Sequence, residues 1–163
     1  CRLAEGKNPL RIICDTHLRI PLTSRIVKTA QEVPTILATC CLDKQKQAVY
    51  REQGCQIVET PVLENHVDLP FLMDYLGQEG IDSVLLEGGA ALNWSAVKYG
   101  RVHKVQVYIG AKLVGGAQAK SPVGGEGVSS LADALCLQNM QVIPLGKDFL
   151  IEGEVESNVY RNY

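Results

Sequence analysis

Between Ser83 and Ser95 the chain reads SVLLEGGAALNWS: an apolar run, an acid, two glycines, then a segment with helical patterning. A strand that stops at Glu87-Gly88-Gly89 and turns straight into a helix leaves the first main-chain N–H groups of that helix without partners. Those donors, together with the positive end of the helix dipole, favour a phosphate or diphosphate. Glycine lacks Cβ, so this turn can adopt positive φ and let a ligand approach the main chain. A glycine pair also serves as plain turn chemistry, and the motif alone leaves both readings open.

Few other residues combine into a chemical constellation. The six cysteines, Cys1, Cys14, Cys40, Cys41, Cys55 and Cys136, include no C-x-x-C pair, and His17, His66 and His103 stand singly. A zinc site needs ligands at short fixed spacings, so no metal is expected. Cys14, Cys40 and Cys55 lie in or beside apolar runs, where a free thiol acts as a small hydrophobe. Unpaired thiols fit a reducing cytoplasm.

Sixteen basic and eighteen acidic residues give a net charge of −2, with no dense basic stripe of the kind nucleic-acid binding requires. No apolar run approaches the roughly 20 residues that span a bilayer, and neither end reads as a secretory signal. Nucleic acid and membrane are therefore not expected partners. At 163 residues the chain suits a single domain with a core of its own. It opens on Cys1 rather than Met, as is expected of a fragment or a processed chain.

The elements that must position the glycine turn follow from apolar periodicity. Strands are expected at Leu10 to Asp15, Thr35 to Cys40, Cys55 to Glu59, Ile81 to Leu86 and Lys104 to Ile109. Between them fall a short helix from Ser24 to Gln31 and a charged helix capped by Asp43 and closed by Gly54. A third helix opens at Asp68-Leu69-Pro70, carries Leu69, Leu72, Met73 and Leu76 on its inner stripe, and stops at Gly80. A fourth runs from Ala90 to Tyr99. Strand and helix alternate, which predicts a parallel sheet with helices on its faces.

After Ile109 the grammar changes. Gly110 to Ser129 is glycine-rich and reads as a long loop, and loops of that length in compact domains tend to be functional. A short helical piece at Ser130 to Ala134 precedes two runs, Cys136 to Leu145 and Phe149 to Val155, joined by Gly146-Lys147-Asp148 as an antiparallel hairpin. The expected architecture is α/β, a mixed and mostly parallel sheet. Ligands in open α/β sheets bind at the carboxyl ends of strands. Asp15-Thr16, Glu87-Gly88-Gly89 and the stretch from Gly110 all fall at such ends.

Three segments in order, NPLRIICDTHLRIP (Asn8 to Pro21), SVLLEGGAALNWS (Ser83 to Ser95) and KVQVYIGAKLVGGAQA (Lys104 to Ala119), resemble the reductase domain of bacterial riboflavin biosynthesis deaminase/reductases. The resemblance implies a dihydrofolate-reductase-like fold. It also implies reduction of 5-amino-6-(5-phosphoribosylamino)uracil with NADPH, a small pyrimidine ribose-phosphate whose ribosyl group opens to a ribityl chain. In the chemistry the resemblance implies, hydride passes from the nicotinamide C4 to the sugar C1′ without a metal, and the protein's task would be alignment and exclusion of water.

Carried over by residue, the resemblance gives the cofactor diphosphate to the turn and helix comprising Gly88, Gly89, Ala90, Ala91, Leu92, Asn93, Trp94 and Ser95. It makes Glu87 a substrate ligand and Thr16 a hydroxyl near the adenosine end of NADPH. Arg2 matches the end of a Leu-Thr-x-Arg motif whose arginine binds the substrate phosphate, a dianion that suits a guanidinium. Arg19 and Arg25 can add positive charge near a cofactor phosphate. The plainer readings stay open beside these: Glu87 as a helix cap, Thr16 as a turn former, Arg2 as a loose terminal residue.

The family's full protein carries a zinc deaminase upstream with an H-x-E…P-C-x-x-C signature, which this chain lacks. Family reductase domains also begin with further elements before the Arg2 motif, so residues 1–163 read as one reductase domain truncated at its N-terminus. A sheet missing an inner strand exposes backbone and apolar groups, which predicts a homo-oligomer or a rearrangement. Three other accounts remain: another reductase of the same fold, a non-catalytic nucleotide-binding module, and a purely structural subunit.

Overall fold

The computed structural model describes residues 6–156. It resolves into two compact units, one ending at Ile81 and the other beginning at Asp82.

The first unit is built on a three-stranded parallel sheet. Strand β1 (Arg11–Cys14) and β3 (Gln56–Glu59) flank β2 (Thr35–Thr39), in the order β1-β2-β3. All five residues of β2 are buried, as a central strand covered on both faces must be. The helix α1 (Arg25–Lys28) is a single turn. Ser24 stands at its N-cap, but its side chain makes no cap bond, and its hydroxyl is buried without a partner. The expected capped helix to Gln31 is accordingly shortened.

Helix α2 (Lys44–Glu52) behaves as its sequence predicts. The Asp43 carboxylate accepts the main-chain N–H groups of Gln45 and Lys46 at 2.9 and 3.1 Å, and Gly54, at φ +90°, turns the chain out. A side chain there would also press on Gln31. The main core gathers Leu18, Val27, Ala30, Leu37, Tyr50 and Cys55, with Ile13, Ile20, Ile26, Cys41 and Ile57 packed against it.

A two-stranded hairpin, β4 (Val62–Leu63) with β5 (His66–Val67), turns through Glu64 and Asn65, both at positive φ. At two residues per strand it carries no readable alternation, and the sequence does not announce it. Helix α3 (Leu69–Gln78) starts from Asp68, whose carboxylate accepts the Phe71 N–H at 2.9 Å, and it buries Leu69, Leu72 and Leu76.

After α3 the structure departs from the strand that the sequence predicts. Ile81 to Leu86, expected as a strand, joins no sheet, and Val84 and Leu85 are exposed. An apolar run becomes a strand only where a neighbouring edge accepts its hydrogen bonds, and among the described residues none does. Helix α4 (Ala90–Lys98) follows, then β6 (Lys104–Ile109), a long loop, a 3₁₀ turn at Leu131–Asp133, and the hairpin β7 (Leu137–Leu145) and β8 (Asp148–Val155). The antiparallel order is β6-β8-β7. Hairpin, loop and 3₁₀ turn fall where the sequence places them. Parallel and antiparallel strands thus occur in separate sheets, and together with the helices they make an α/β fold.

Candidate functional site

In the second unit the turn before α4 has the anatomy of an anion site. Gly89 is the N-cap, and no side chain caps the helix. Asn93 makes the first helical bond, its N–H donating to the Gly89 carbonyl at 3.0 Å. The N–H groups of Ala90, Ala91 and Leu92 have no protein acceptor among the described residues. Three adjacent donors at the positive end of a nine-residue helix suit a diphosphate.

The two glycines do different work, and neither uses the positive φ that the sequence suggests. A Cβ on Gly88 would lie 2.6 Å from Leu92 Cδ2, so Gly88 is small because Leu92 packs on it. A Cβ on Gly89 would meet nothing within 4 Å. The space in front of Gly89 is therefore open beside the three amides. Glu87 is exposed and makes no hydrogen bond or ion pair among the described residues. The helix-cap reading of this carboxylate fails, and it stands free to meet a ligand.

Further along α4 the side chains turn to internal tasks. Asn93 donates to the Pro122 carbonyl at 2.8 Å, and the Gly124 N–H donates to the Ala90 carbonyl at 3.0 Å. Gly125 sits at φ +74°, and a Cβ there would lie 1.9 Å from Trp94 Cδ1, so its backbone presses against the indole. Ser95 bonds back to the Ala91 carbonyl at 3.2 Å. Of the span from Gly88 to Ser95, residues 90–92 keep main-chain N–H groups unpaired among the described residues, whereas Asn93 and Trp94 dock the long loop. A cleft of about 420 Å³ opens beside this junction, between Trp94, Val97 and Lys98 on the helix and Glu126, Val128 and Asp133 on the loop. The docking role of Gly124 and Gly125 escapes sequence reasoning, because a glycine-rich loop does not say which of its glycines is wedged.

In the first unit Thr16 follows β1. Its carbonyl accepts the Cys40 N–H at 3.1 Å and the buried Thr39 hydroxyl at 3.2 Å, while its own hydroxyl has no partner among the described residues. Asp15, which the sequence places at a strand exit without giving it a role, fixes the loop: its carboxylate accepts the N–H groups of Arg19 and Ile20 at 2.6 and 2.7 Å. The signal was present, since an aspartate ending a strand commonly closes such a turn. Cys14 is half-buried, and burial pushes its thiol pKa up to about 11. Arg2 lies outside the described residues. No cluster of His, Cys, Asp and Glu among the described residues is placed to hold a metal ion.

The comparisons with known proteins bear on both units together. The chain matches the RibD C-terminal domain family over residues 1–151, and it belongs to that family. It is 42% identical to the riboflavin biosynthesis protein RibD of Actinobacillus pleuropneumoniae over 93% of its own length, and it spans about 40% of that relative. It is 32% identical to the 2,5-diamino-6-ribosylamino-4(3H)-pyrimidinone 5′-phosphate reductase of Methanothermobacter thermautotrophicus, covering 94% of this chain and 69% of the relative. Among solved structures, RibD of Acinetobacter baumannii matches with a TM-score of 0.72 at 22% identity, over 91% of this chain and 38% of that one, which establishes the fold.

Proposed function

We infer that this chain is the reductase domain of a riboflavin biosynthesis enzyme, reducing 5-amino-6-(5-phosphoribosylamino)uracil to the ribitylamino product with NADPH. The observation that carries the reading is the row of unpaired N–H groups at Ala90, Ala91 and Leu92 beside the free Glu87 carboxylate, in a chain whose relatives include named pyrimidinone phosphate reductases. One family match runs across both units, which supports treating residues 1–163 as one reductase domain.

The residues present suit a dinucleotide, because bare N–H groups at a helix start can donate to a diphosphate and there is room before Gly89. NADPH, when bound, supplies the hydride that reaches the sugar C1′. The protein's part is to bind and orient. The amides of residues 90–92 hold the diphosphate, and the Thr16 hydroxyl serves as a second cofactor contact, toward the 2′-phosphate. Glu87 accepts hydrogen bonds from substrate N–H or hydroxyl groups and fixes the reacting centre, and Arg2 takes the substrate phosphate.

A cytoplasmic homo-oligomer completes the reading, with a zinc deaminase elsewhere in the full gene product. Self-association is supported by apolar side chains left exposed on the second unit's sheet, among them Val107, Ile109, Val142 and Phe149. No helix among the described residues is long and apolar enough to cross a membrane. The test is a spectrophotometric assay of NADPH oxidation by the full-length gene product. Oxidation that depends on the pyrimidine ribose-phosphate and does not occur with dihydrofolate is expected. Binding of NADPH without substrate-dependent oxidation would overturn the catalytic assignment.

A further inference from the structure

The loop that carries Thr16 is held more firmly than a surface turn needs to be. Besides the Asp15 carboxylate, nearly every carbonyl in it has a partner. Asp15 O accepts the Leu18 N–H at 3.1 Å, and Thr16 O accepts from Cys40 and Thr39. His17 O takes the Lys46 ammonium at 2.6 Å. Leu18 O and Ile20 O share the hydroxyl of Tyr50, at 3.2 and 2.8 Å.

Leu18 pays for this arrangement in backbone conformation. It sits at φ +49°, a region a leucine rarely enters, and its side chain is 1% exposed in the core. Such a conformation persists only where the surroundings over-determine it. Tyr50 supplies much of that determination: it is 5% exposed, it belongs to α2, and its ring is part of the same core as Leu18. The side chains of Thr16, His17 and Arg19 are left without protein partners among the described residues. A hydroxyl, an imidazole and a guanidinium on a rigid loop at the carboxyl end of a parallel strand suit a phosphate monoester.

We propose that Tyr50 is a positioning residue for cofactor recognition: through the Leu18 and Ile20 carbonyls its buried hydroxyl fixes the loop that presents Thr16. This rests on the reading of Thr16 as a contact to the 2′-phosphate of NADPH. Tyr50→Phe keeps the ring in the core and removes only the shared hydroxyl. NADH lacks the 2′-phosphate and serves as the internal control.

The experiment measures dissociation constants for NADPH and NADH by fluorescence titration of the full-length gene product. The proteins compared are the unaltered one, Tyr50→Phe, Thr16→Val and the double variant. Tyr50→Phe is expected to weaken NADPH about 3- to 10-fold and NADH less than about 2-fold, the loss of roughly one buried hydrogen bond expressed through the loop. In the Thr16→Val background its further effect on NADPH should fall below about 2-fold, because the two residues act on one contact. If Thr16→Val weakens NADPH while Tyr50→Phe leaves it unchanged, or weakens both cofactors equally, the positioning role is wrong and the reading of Thr16 stands. If Thr16→Val changes nothing, that reading falls and takes the proposal with it. Should Tyr50→Phe fail to fold, Lys46→Met removes the neighbouring contact to His17 O from an exposed position, and the same selective loss of NADPH, smaller in size, is required of it.

Discussion

The loop after β1 and the turn before α4, the two regions we propose for the cofactor, are built in opposite ways. From Asp15 to Ile20 the main chain is bonded almost throughout, and what remains free is side chain: a hydroxyl, an imidazole, a guanidinium. From Gly88 to Ala91 the side chains are absent or small, and what remains free is main chain: the three adjacent N–H groups of Ala90, Ala91 and Leu92 at a helix start. The first is a scaffold that displays functional groups, and the second is itself the functional group. A substitution should therefore damage the first region through what holds it and the second through what fills it.

The sharpest way to break this contrast uses two glycines of the second unit. Gly125 is wedged at positive φ against Trp94, so Gly125→Ala should cost about 2–4 kcal/mol from backbone strain and steric conflict, read from urea unfolding. Gly89 has ordinary φ and open space before it, so Gly89→Ala should change stability by no more than about 1 kcal/mol. It should nevertheless weaken NADPH about 10-fold or more, because the new methyl group stands where the diphosphate approaches. Stability loss without loss of binding at Gly89 would end the view that its bareness serves a ligand.

Next in size is Glu87. Glu87→Gln keeps the shape and removes the charge, and kcat/KM for the pyrimidine substrate is expected to fall about 10- to 100-fold, the worth of one charge-assisted hydrogen bond. Because this side chain has no protein partner among the described residues, the melting temperature should stay put. Asp15→Ala supplies the counterpart in the first unit. It removes the acceptor of two main-chain N–H groups and should cost about 1–3 kcal/mol, with the NADPH constant shifting alongside stability rather than independently of it.

The sequence revealed one kind of information and hid another. Caps written in a single side chain were legible: Asp43 and Asp68 accept the expected N–H groups, and Gly54 turns the chain at positive φ. Ser24 occupies its cap position without capping, because nothing local decides whether a hydroxyl turns toward the helix or into the core. The run Ile81 to Leu86 has the composition of a strand but no edge to pair with, and pairing is a non-local fact. In the glycine turn the sequence located the unpaired amides at the start of α4 and misjudged why the glycines stand there. Gly88 is small for the sake of Leu92, four residues on, whereas Gly89 has open space before it. Tyr50, 32 residues from Leu18, had no local signal at all.

The smallest expected effect concerns how each unit resists acid. In the first, Lys44 and Gln47 bond the Glu59 carboxylate and hold it below the ordinary glutamate value; in the second, Lys104, at 2.6 Å, and Gln106 do the same for Glu152. A carboxyl whose folded pKa is depressed stabilises the fold above its unfolded value, and that contribution disappears as pH falls from about 4.5 through the folded pKa. Glu59→Gln and Glu152→Gln should therefore each lower the urea midpoint slightly at pH 7 and leave it unchanged near the acid limit, where the parent carboxyls are already neutral. Both pairs reach solvent, so added salt should shrink the difference at pH 7. A salt-insensitive effect of Glu152→Gln would mean that the Gln106 bond, rather than the charge on Lys104, anchors this carboxylate across β6 and β8.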